Sequence, residues 1–291
     1  MPSLQYKLFS RTVSLLPLET RLKVLFFRRF KYILNLKKPE RLTTFNEKIQ
    51  YLKVTERDPL LTIAADKVAS KNFVKKICPN LYVPENLWHG FAPSDVDHLD
   101  FSQLPCDYVF KANHTSQTIE IIRNGNNLTK EKMKQLSKSW LSHDQASSLG
   151  EWAYQDIPRT VFIEEFLDFE GEAPDDYKFF VYHGKVHFIQ LDSDRFTDHR
   201  RNMFDRNWCD LEFSYNHPRK EPVPARPIFF EEMVEVAEKI GANFKFVRVD
   251  LYFYDNKVTF GELTIYPGAG FERFPNKDWD QIFGKPLNLF G

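Results

Sequence analysis

Two runs near the C-terminus constrain this chain more than any other passage: Phe246-Val247-Arg248-Val249-Asp250-Leu251-Tyr252 and Phe260-Gly261-Glu262-Leu263-Thr264. Side chains alternate faces along a strand, so Val247, Val249, Leu251 and Phe253 share one face, and Arg248, Asp250 and Tyr252 the other. Asp255-Asn256-Lys257 between the runs is a turn signal, which predicts an antiparallel hairpin. With a three-residue loop, Tyr254 faces Val258, Asp250 faces Glu262 and Arg248 faces Thr264. Directly opposed Cβ atoms lie about 4.5–5.5 Å apart, where two carboxylates repel unless a cation sits between them. Mg2+, which takes one or two carboxylates plus phosphate oxygens, suits such a pair. The alternatives are that one acid turns to solvent or pairs with Arg248, or that a one-residue slip puts the acids on opposite faces.

The rest of the chain reads as alternating strands and helices. A helix is expected over 64–76, an extended passage over 82–91 broken by Pro84, and a strand over 107–112. The polar loop Asn113-His114-Thr115-Ser116-Gln117 leads to a strand over 118–123, and Thr129 can cap a helix running to about 141. Strands follow over 160–166, 177–182 and 185–192, the last two joined by His183-Gly184. A helix over 229–240 should stop at Gly241 as a C-terminal cap. The class is α+β with mostly antiparallel sheets, divided as a basic helical segment over 1–61, a lobe over 62–159 and a lobe over 160–291. Two lobes suit 291 residues at roughly 150 per domain.

Forty basic and forty acidic residues cancel, which argues against a surface built to hold nucleic acid. The cancellation is uneven. Residues 1–41 hold ten bases and two acids, so the remaining 250 residues carry −8. That head mixes its charges with Leu, Ile and Phe at helical spacing. It reads either as a basic amphipathic segment for an anionic membrane surface or acidic polymer, or as helices packed on the body with a solvated basic face. Three separated cysteines without a C-x-x-C indicate neither a disulfide framework nor a zinc site. No apolar run is long enough to span a membrane, and the start lacks the features of a signal peptide, so a cytoplasmic location is expected.

The order of motifs then becomes specific. Thr44-Phe45-Asn46-Glu47-Lys48-Ile49-Gln50, the step Ala65-Asp66-Lys67, Val161-Phe162-Ile163-Glu164-Glu165-Phe166-Leu167, Asp176-Tyr177-Lys178-Phe179 and the closing hairpin follow one another. This set resembles the TupA-like proteins of the ATP-grasp superfamily, which are associated with teichuronopeptide and other surface-polysaccharide biosynthesis. The resemblance implies nucleotide bound between two α+β lobes and a carboxylate activated as an acyl phosphate, then attacked by an amine. It implies Asp250 and Glu262 as Mg2+ ligands, with Thr264 where the family usually has Asn. Lys67, Lys111 and Ser116 would lie along the phosphates of ATP, Glu164, Glu165 and Leu167 at the adenine hinge and ribose, and Lys178 and Arg195 on phosphate oxygens. Arg248 would stabilise the tetrahedral intermediate, and the backbone of Tyr266-Pro267-Gly268-Ala269-Gly270, Gly268 in particular, can line an oxyanion.

The sequence departs from the family pattern twice. The loop after Lys111 has no glycine, where a glycine-rich loop usually closes over the phosphates. Many ATP-grasp ligases begin with a separate Rossmann-like domain, for which the segment before Thr62 is too short and too basic, so the acceptor site is expected to be built another way. Arg195 equally suits a surface ion pair, and Trp152, Trp208 or Tyr252 can stack on a sugar. His183 and His187 read as strand-surface residues rather than metal ligands. The expected activity is an ATP- and Mg2+-dependent ligase joining the carboxylate of a uronic acid, in a surface polysaccharide or lipid-linked precursor, to an amino acid. A phosphotransferase, a small peptide ligase and a non-catalytic nucleotide-binding subunit stay open beside it.

Overall fold

A computed structural model describes residues 13, 15–116, 118–126, 128–144, 146, 149–169 and 174–290. The first twelve residues and Gln117 lie outside that set. Local signals place the early helices. Helix α1 spans Leu18–Phe30 and buries Leu22 and Phe26. Helix α2, Phe45–Thr55, starts at a capping box in which Thr44 and Glu47 satisfy each other's backbone N–H groups.

The helix expected over 64–76 is two helices, α3 (Pro59–Ala65) and α4 (Ala69–Ile77). Asp66 causes the break. Its Oδ1 accepts from the N–H groups of Val68 (2.8 Å) and Ala69 (3.3 Å), so the side chain restarts the helix. The Lys67 N–H then donates to the Asn113 carbonyl rather than continuing a helical ladder.

Strands β1 (Asn86–Gly90), β2 (Tyr108–Ala112), β3 (Ile119–Ile122) and β4 (Val161–Glu165) form an antiparallel sheet in the order β1-β4-β2-β3. Helix α5 (Lys130–Leu141), capped by Thr129, covers it through Met133 and Trp140. The sheets therefore do not divide at residue 160. Strand β4 is inserted between β1 and β2, because Phe110 and Ile163 share one apolar core with Tyr108 and Val161.

Strands β5 (Asp176–Tyr182), β6 (Lys185–Ser193), β7 (Arg200–Asp205), β8 (Phe246–Tyr254) and β9 (Lys257–Thr264) form the second antiparallel sheet, in the order β7-β6-β5-β8-β9. Helix α6 (Phe230–Gly241) packs on it, and α2 packs against α7 (Lys277–Gly284). Phe26, Phe45, Ile49, Leu52 and Leu61 all lie in this lobe's core, so the described part of the first 61 residues belongs to its body. The architecture is two α+β lobes with antiparallel sheets.

Three details depart from expectation. Strand β7 carries no apolar alternation, because its Arg201 turns inward onto Asp192. Gly241 is the last residue of α6 and not a left-handed cap; a Cβ there would meet Val181 Cγ1 at 2.3 Å, so the glycine permits close packing. The last hairpin turns on two residues, Asp255 and Asn256, with φ of 49° and 57°. The residue lost from the loop returns as a bulge at Gly261: Leu251 pairs with Phe260, yet Asp250 pairs with Glu262 and Arg248 with Thr264. The expected pairing of the acids holds, by a different route.

The seam between α2 and α7 leaves no room for a side chain at Gly284, where a Cβ would sit 2.4 Å from the Thr43 carbonyl oxygen and 2.6 Å from the Phe45 nitrogen. Gly284→Ala should destabilise the protein by roughly 1–3 kcal/mol, the usual cost of overpacking. Urea denaturation followed by fluorescence measures this, and an unchanged midpoint would contradict the packing described.

Candidate active site

The site is built on the polar face of β5 and β8. Lys178 of β5 lies opposite Asp250 of β8, and its ammonium bonds both Asp250 Oδ2 (2.9 Å) and Asp176 two residues earlier on its own strand. Arg248 grips the same Asp250 carboxylate with Nε and Nη2, each at 2.7 Å. Its Nη2 also donates to Thr264 Oγ1 at 3.0 Å and lies 3.7 Å from Glu262 Oε1. Arg195 Nη1 reaches Asp176 Oδ2 at 2.6 Å.

Burial works against the charge on every member, and the partners decide the outcome. For Asp250, burial would push the carboxyl up, but Arg248 and then Lys178 hold it below the ordinary range. For Lys178, burial would lower the ammonium, and Asp176 and Asp250 outweigh it upward. Asp176 is the exception. Burial, with Asp250 adding to it, holds its carboxyl above the usual value despite Lys178 and Arg195.

The facing sheet supplies a second charged group. Lys111 of β2 and Lys71 of α4 both pair with Glu164 of β4. Glu164 is buried, which would raise its pKa, but the two lysines bring it below the ordinary value. Lys67, set in the break between α3 and α4, donates its ammonium to the Thr115 carbonyl, and burial lowers its pKa.

The polar loop after Lys111 is anchored over its first half. Asn113 Nδ2 donates to Asp66 Oδ1 and to the Pro158 carbonyl, each at 3.0 Å, and its Oδ1 accepts from the Thr160 N–H at 2.8 Å. His114 and Thr115 are buried beside it.

Two adjoining cavities run between the sheets. One, of about 690 Å3, is lined by Lys67, Lys111, Ser116, Arg195, Arg248, Glu262, Thr264 and Gly268. The other, of about 320 Å3, is lined by Glu164, Glu165 and Leu167 together with the apolar Val109, Ile121 and Phe260. Lys67, Lys111, Tyr252 and Glu262 border both. Most residues singled out from the sequence thus converge on one cleft. Lys178 and Asp250 are different: they line neither cavity and lie beneath its floor, bonded to each other. Of the aromatic candidates only Tyr252 borders the cleft, whereas Trp208 stacks on Phe204 at 4.2 Å.

Gly268 sits in a run of left-handed residues, with φ of 52°, 53° and 67° at Gly268, Ala269 and Gly270. Helix α2 fixes this loop from behind: Gln50 Nε2 donates to the Ala269 and Gly270 carbonyls (3.1 and 2.7 Å), and Lys53 Nζ to the Ala269 carbonyl (2.8 Å).

Sequence reasoning gave no role to Asp176, Lys71, Glu151 or Tyr154. Signals existed for the first two. Asp176 lies two residues from Lys178, on the same strand face, and Lys71 lies one helical turn from Lys67.

Among the described residues, no three His, Cys, Asp or Glu side chains form a metal-holding group. Mg2+ needs only one or two carboxylates when phosphate oxygens complete its shell. A carboxylate offers about four acceptor positions, and the two Arg248 bonds and the Lys178 bond leave one free on Asp250 Oδ1. Glu262 is 45% exposed toward the cleft, and Asp176 Oδ1 is buried without a hydrogen-bond partner. The donor set therefore fits Mg2+ delivered with a nucleotide, and it does not form a closed metal cage.

Two antiparallel sheets facing each other across a cleft, with lysines on one side and an acid pair on the other, define the ATP-grasp fold. Residues 47–288 match the TupA-like ATPgrasp family, and the chain belongs to it. No curated protein matches the chain. Among solved structures, D-alanine-D-alanine ligase from Helicobacter pylori is 13% identical with a TM-score of 0.46, the match covering 84% of this chain and 69% of that one. The corresponding ligase from Bacillus anthracis, complexed with ATP, is 13% identical with a TM-score of 0.45, covering 78% and 65%. The ATP-grasp ligase PsnB, complexed with a minimal precursor, is 13% identical with a TM-score of 0.44, covering 79% and 61%. The chain thus spans about 61 to 69% of the length of these structures.

The two acids should respond differently to neutralisation. Asp250→Asn leaves Arg248 and Lys178 buried beside a neutral amide, a change that costs roughly 3–5 kcal/mol. Glu262→Gln alters a side chain open to the cleft and should shift stability by no more than about 0.5 kcal/mol. Thermal melting of the two variants distinguishes these cases, and equal losses would refute the asymmetry.

Proposed function

We propose that this chain is an ATP- and Mg2+-dependent carboxylate–amine ligase. The observation that carries the reading is the pairing of Asp250 with Glu262 across the cleft from Lys67 and Lys111, with Arg248 bonded into the same cluster. In this reading the purine lies in the apolar slot of Val109, Ile121 and Phe260, with Glu164, Glu165 and Leu167 at its edge and ribose. Lys67, Lys111 and Ser116 hold the phosphates. Asp250 and Glu262, with Thr264 beside them, would hold Mg2+, which would supply positive charge against the phosphates.

The acceptor carboxylate attacks the γ-phosphorus, the bond to the bridging oxygen breaks, and ADP leaves. The neutral amine then attacks the acyl carbon, gives up a proton to the departing phosphate or solvent, and the tetrahedral intermediate collapses to the amide as phosphate is expelled. Arg248, with Gly268 beside it on the cavity wall, stabilises the oxyanion that develops in that step. Arg195 steadies the phosphoryl group from the rim. Lys178 acts from below the floor, keeping Asp250 charged and in place.

The family's association with surface polysaccharide supports a uronic acid as the carboxylate, in a polymer or lipid-linked precursor, and an amino acid as the amine. The N-terminal segment supports peripheral contact with an anionic membrane: Leu15, Phe27 and Ile33 are exposed beside Lys31, Lys37 and Lys38. Among the described residues no helix is long and apolar enough to cross a membrane. Because Leu22, Phe26, Leu34 and Leu36 are buried in the body, deleting this segment would damage the fold, and exposed charges are the better probe.

Incubation with ATP, Mg2+, a panel of uronic-acid glycosides and mixed amino acids should release ADP and give a product whose mass is the sum of the two substrates less water. A phosphorylated product instead marks a phosphotransferase, and tight ATP binding without turnover marks a non-catalytic subunit. Glu262→Gln should abolish product. The triple variant Lys31→Glu, Lys37→Glu, Lys38→Glu should bind vesicles of anionic phospholipid at least tenfold more weakly at low salt, with turnover of short glycosides unchanged. Equal vesicle binding would leave the basic face a purely structural one.

A further inference from the structure

Among the described residues, five side chains border both cavities: Lys67, Lys111, Glu262, Phe196 and Tyr252. In the ligase reading the first three meet phosphate and Mg2+, so the handover from nucleotide to acceptor falls at this junction. The two aromatic rings are held there by the backbone. Phe196 stands in the turn between β6 and β7, where Asp194 is left-handed (φ 54°), the Thr197 N–H returns to the Asp194 carbonyl at 3.1 Å, and Arg195 is bonded to Asp176. The turn presents Phe196 at its tip, with the residue 72% exposed. Tyr252 of β8 lies over the bulge on β9. A Cβ on Gly261 would come within 2.9 Å of Tyr252 Cε2, so the glycine makes room for the ring. Burial and then Asp176 push the Tyr252 phenol well above its ordinary pKa, and Arg195 opposes them. The hydroxyl therefore stays protonated, within electrostatic range of that guanidinium.

A phenyl ring open to water at the mouth of a cleft is apolar surface waiting for a cover. Ile119 of β3, which also borders the larger cavity, is 46% exposed. The charged lining of the same cavity includes Lys67, Lys111, Arg195 and Arg248. A ligand that matches both features carries an anionic group and a broad C–H face. A pyranose bearing a carboxylate has the two together: its C–H bonds meet the electron-rich face of an aromatic ring, and its carboxylate accepts from a hydroxyl and from cations. An acyclic acid brings the charge without the face.

We infer that Phe196 and Tyr252 form the seat of the acceptor, in which the Phe196 ring carries the C–H face of a pyranose and the Tyr252 hydroxyl donates a hydrogen bond to its carboxylate. The inference rests on the ligase reading and adds to it the residues that select a cyclic acid. It also locates an acceptor site in a chain whose described N-terminal helices pack on the main body. The walls of this site come from the β6–β7 turn and from the strand that carries Asp250.

Saturation-transfer NMR on the full chain, with Mg2+ and a non-hydrolysable ATP analogue, reads binding without turnover. The probes are the methyl glycosides of glucuronic and galacturonic acid, and gluconate, an acyclic sugar acid. At least one glycoside should bind the wild-type protein more tightly than gluconate does. Phe196→Ala should weaken that glycoside about tenfold and leave gluconate and the ATP analogue within about twofold, while Phe196→Trp should recover most of the binding. Tyr252→Phe, which keeps the ring, should weaken the glycoside about threefold or more. Because Phe196 is mostly exposed, its truncation leaves the fold intact. No glycoside binding by the wild type, or equal glycoside affinity in Phe196→Ala or in Tyr252→Phe, overturns the inference. A matching loss of the ATP analogue in Phe196→Ala also overturns it, and assigns the ring to the nucleotide. Hydroxylamine added with ATP, Mg2+ and the glycoside traps an acyl phosphate as a hydroxamate and separates the two readings. Glycoside bound through Phe196 without hydroxamate counts against the ligase and leaves the seat standing. Hydroxamate formed equally by wild type and Phe196→Ala at subsaturating glycoside overturns the seat and leaves the ligase.

Discussion

The organisation of this protein depends on a cluster of charges buried in the larger sheet. Asp176 and Asp250 share Lys178, Arg248 clamps Asp250, and Arg195 closes on Asp176 from the rim. Each group alone would be costly to bury, and together they are tolerable because every charge faces an opposite one. The cluster fixes the rung that sets Lys178 against Asp250, and with it the alignment of β5 and β8. The other face of the same strands, through Tyr177, Phe179, Val181, Val247, Val249 and Leu251, belongs to the apolar core. One pair of strands therefore sets both the packing of the lobe and the electrostatics of the cleft floor.

Across the cleft, smaller elements aim the remaining cations. Asp66 breaks the helix that would otherwise run past Lys67, and the released backbone bonds to Asn113 at the root of the polar loop. Lys71 and Lys111 share the single carboxylate of Glu164, so the trio keeps a net positive charge to offer a phosphate while part of it is already balanced.

How much of this could be read from the sequence follows from the range of each interaction. The pairing of Asp250 with Glu262 was legible because a strand's period of two and a nearby turn are local. The turn itself was misjudged, because a three-residue loop and a two-residue loop plus bulge give the acids the same partner. Lys178 was visible as a strand lysine, but its place between two acids depends on a residue 72 positions away. The inward turn of Arg201 hid β7, since alternation marks a strand only where polar side chains face water. Glu151 lies between regular elements, where periodicity carries no information, and only the shape of the cavity brings it to notice.

The bulge at Gly261 divides the last hairpin into two parts that are aligned independently. Outward of it, the rungs from Leu251–Phe260 to Tyr254–Lys257 follow the turn, and the backbone of Tyr82 clamps them from the side through Val258 and Phe260. Inward of it, the rungs from Arg248–Thr264 to Asp250–Glu262 take their alignment from the buried charges. The tip is thereby insulated from the chemistry. Sequence drift at Asp255 and Asn256 changes an outer handle, whereas Gly261 is the joint at which the strand is brought back into step for the cleft.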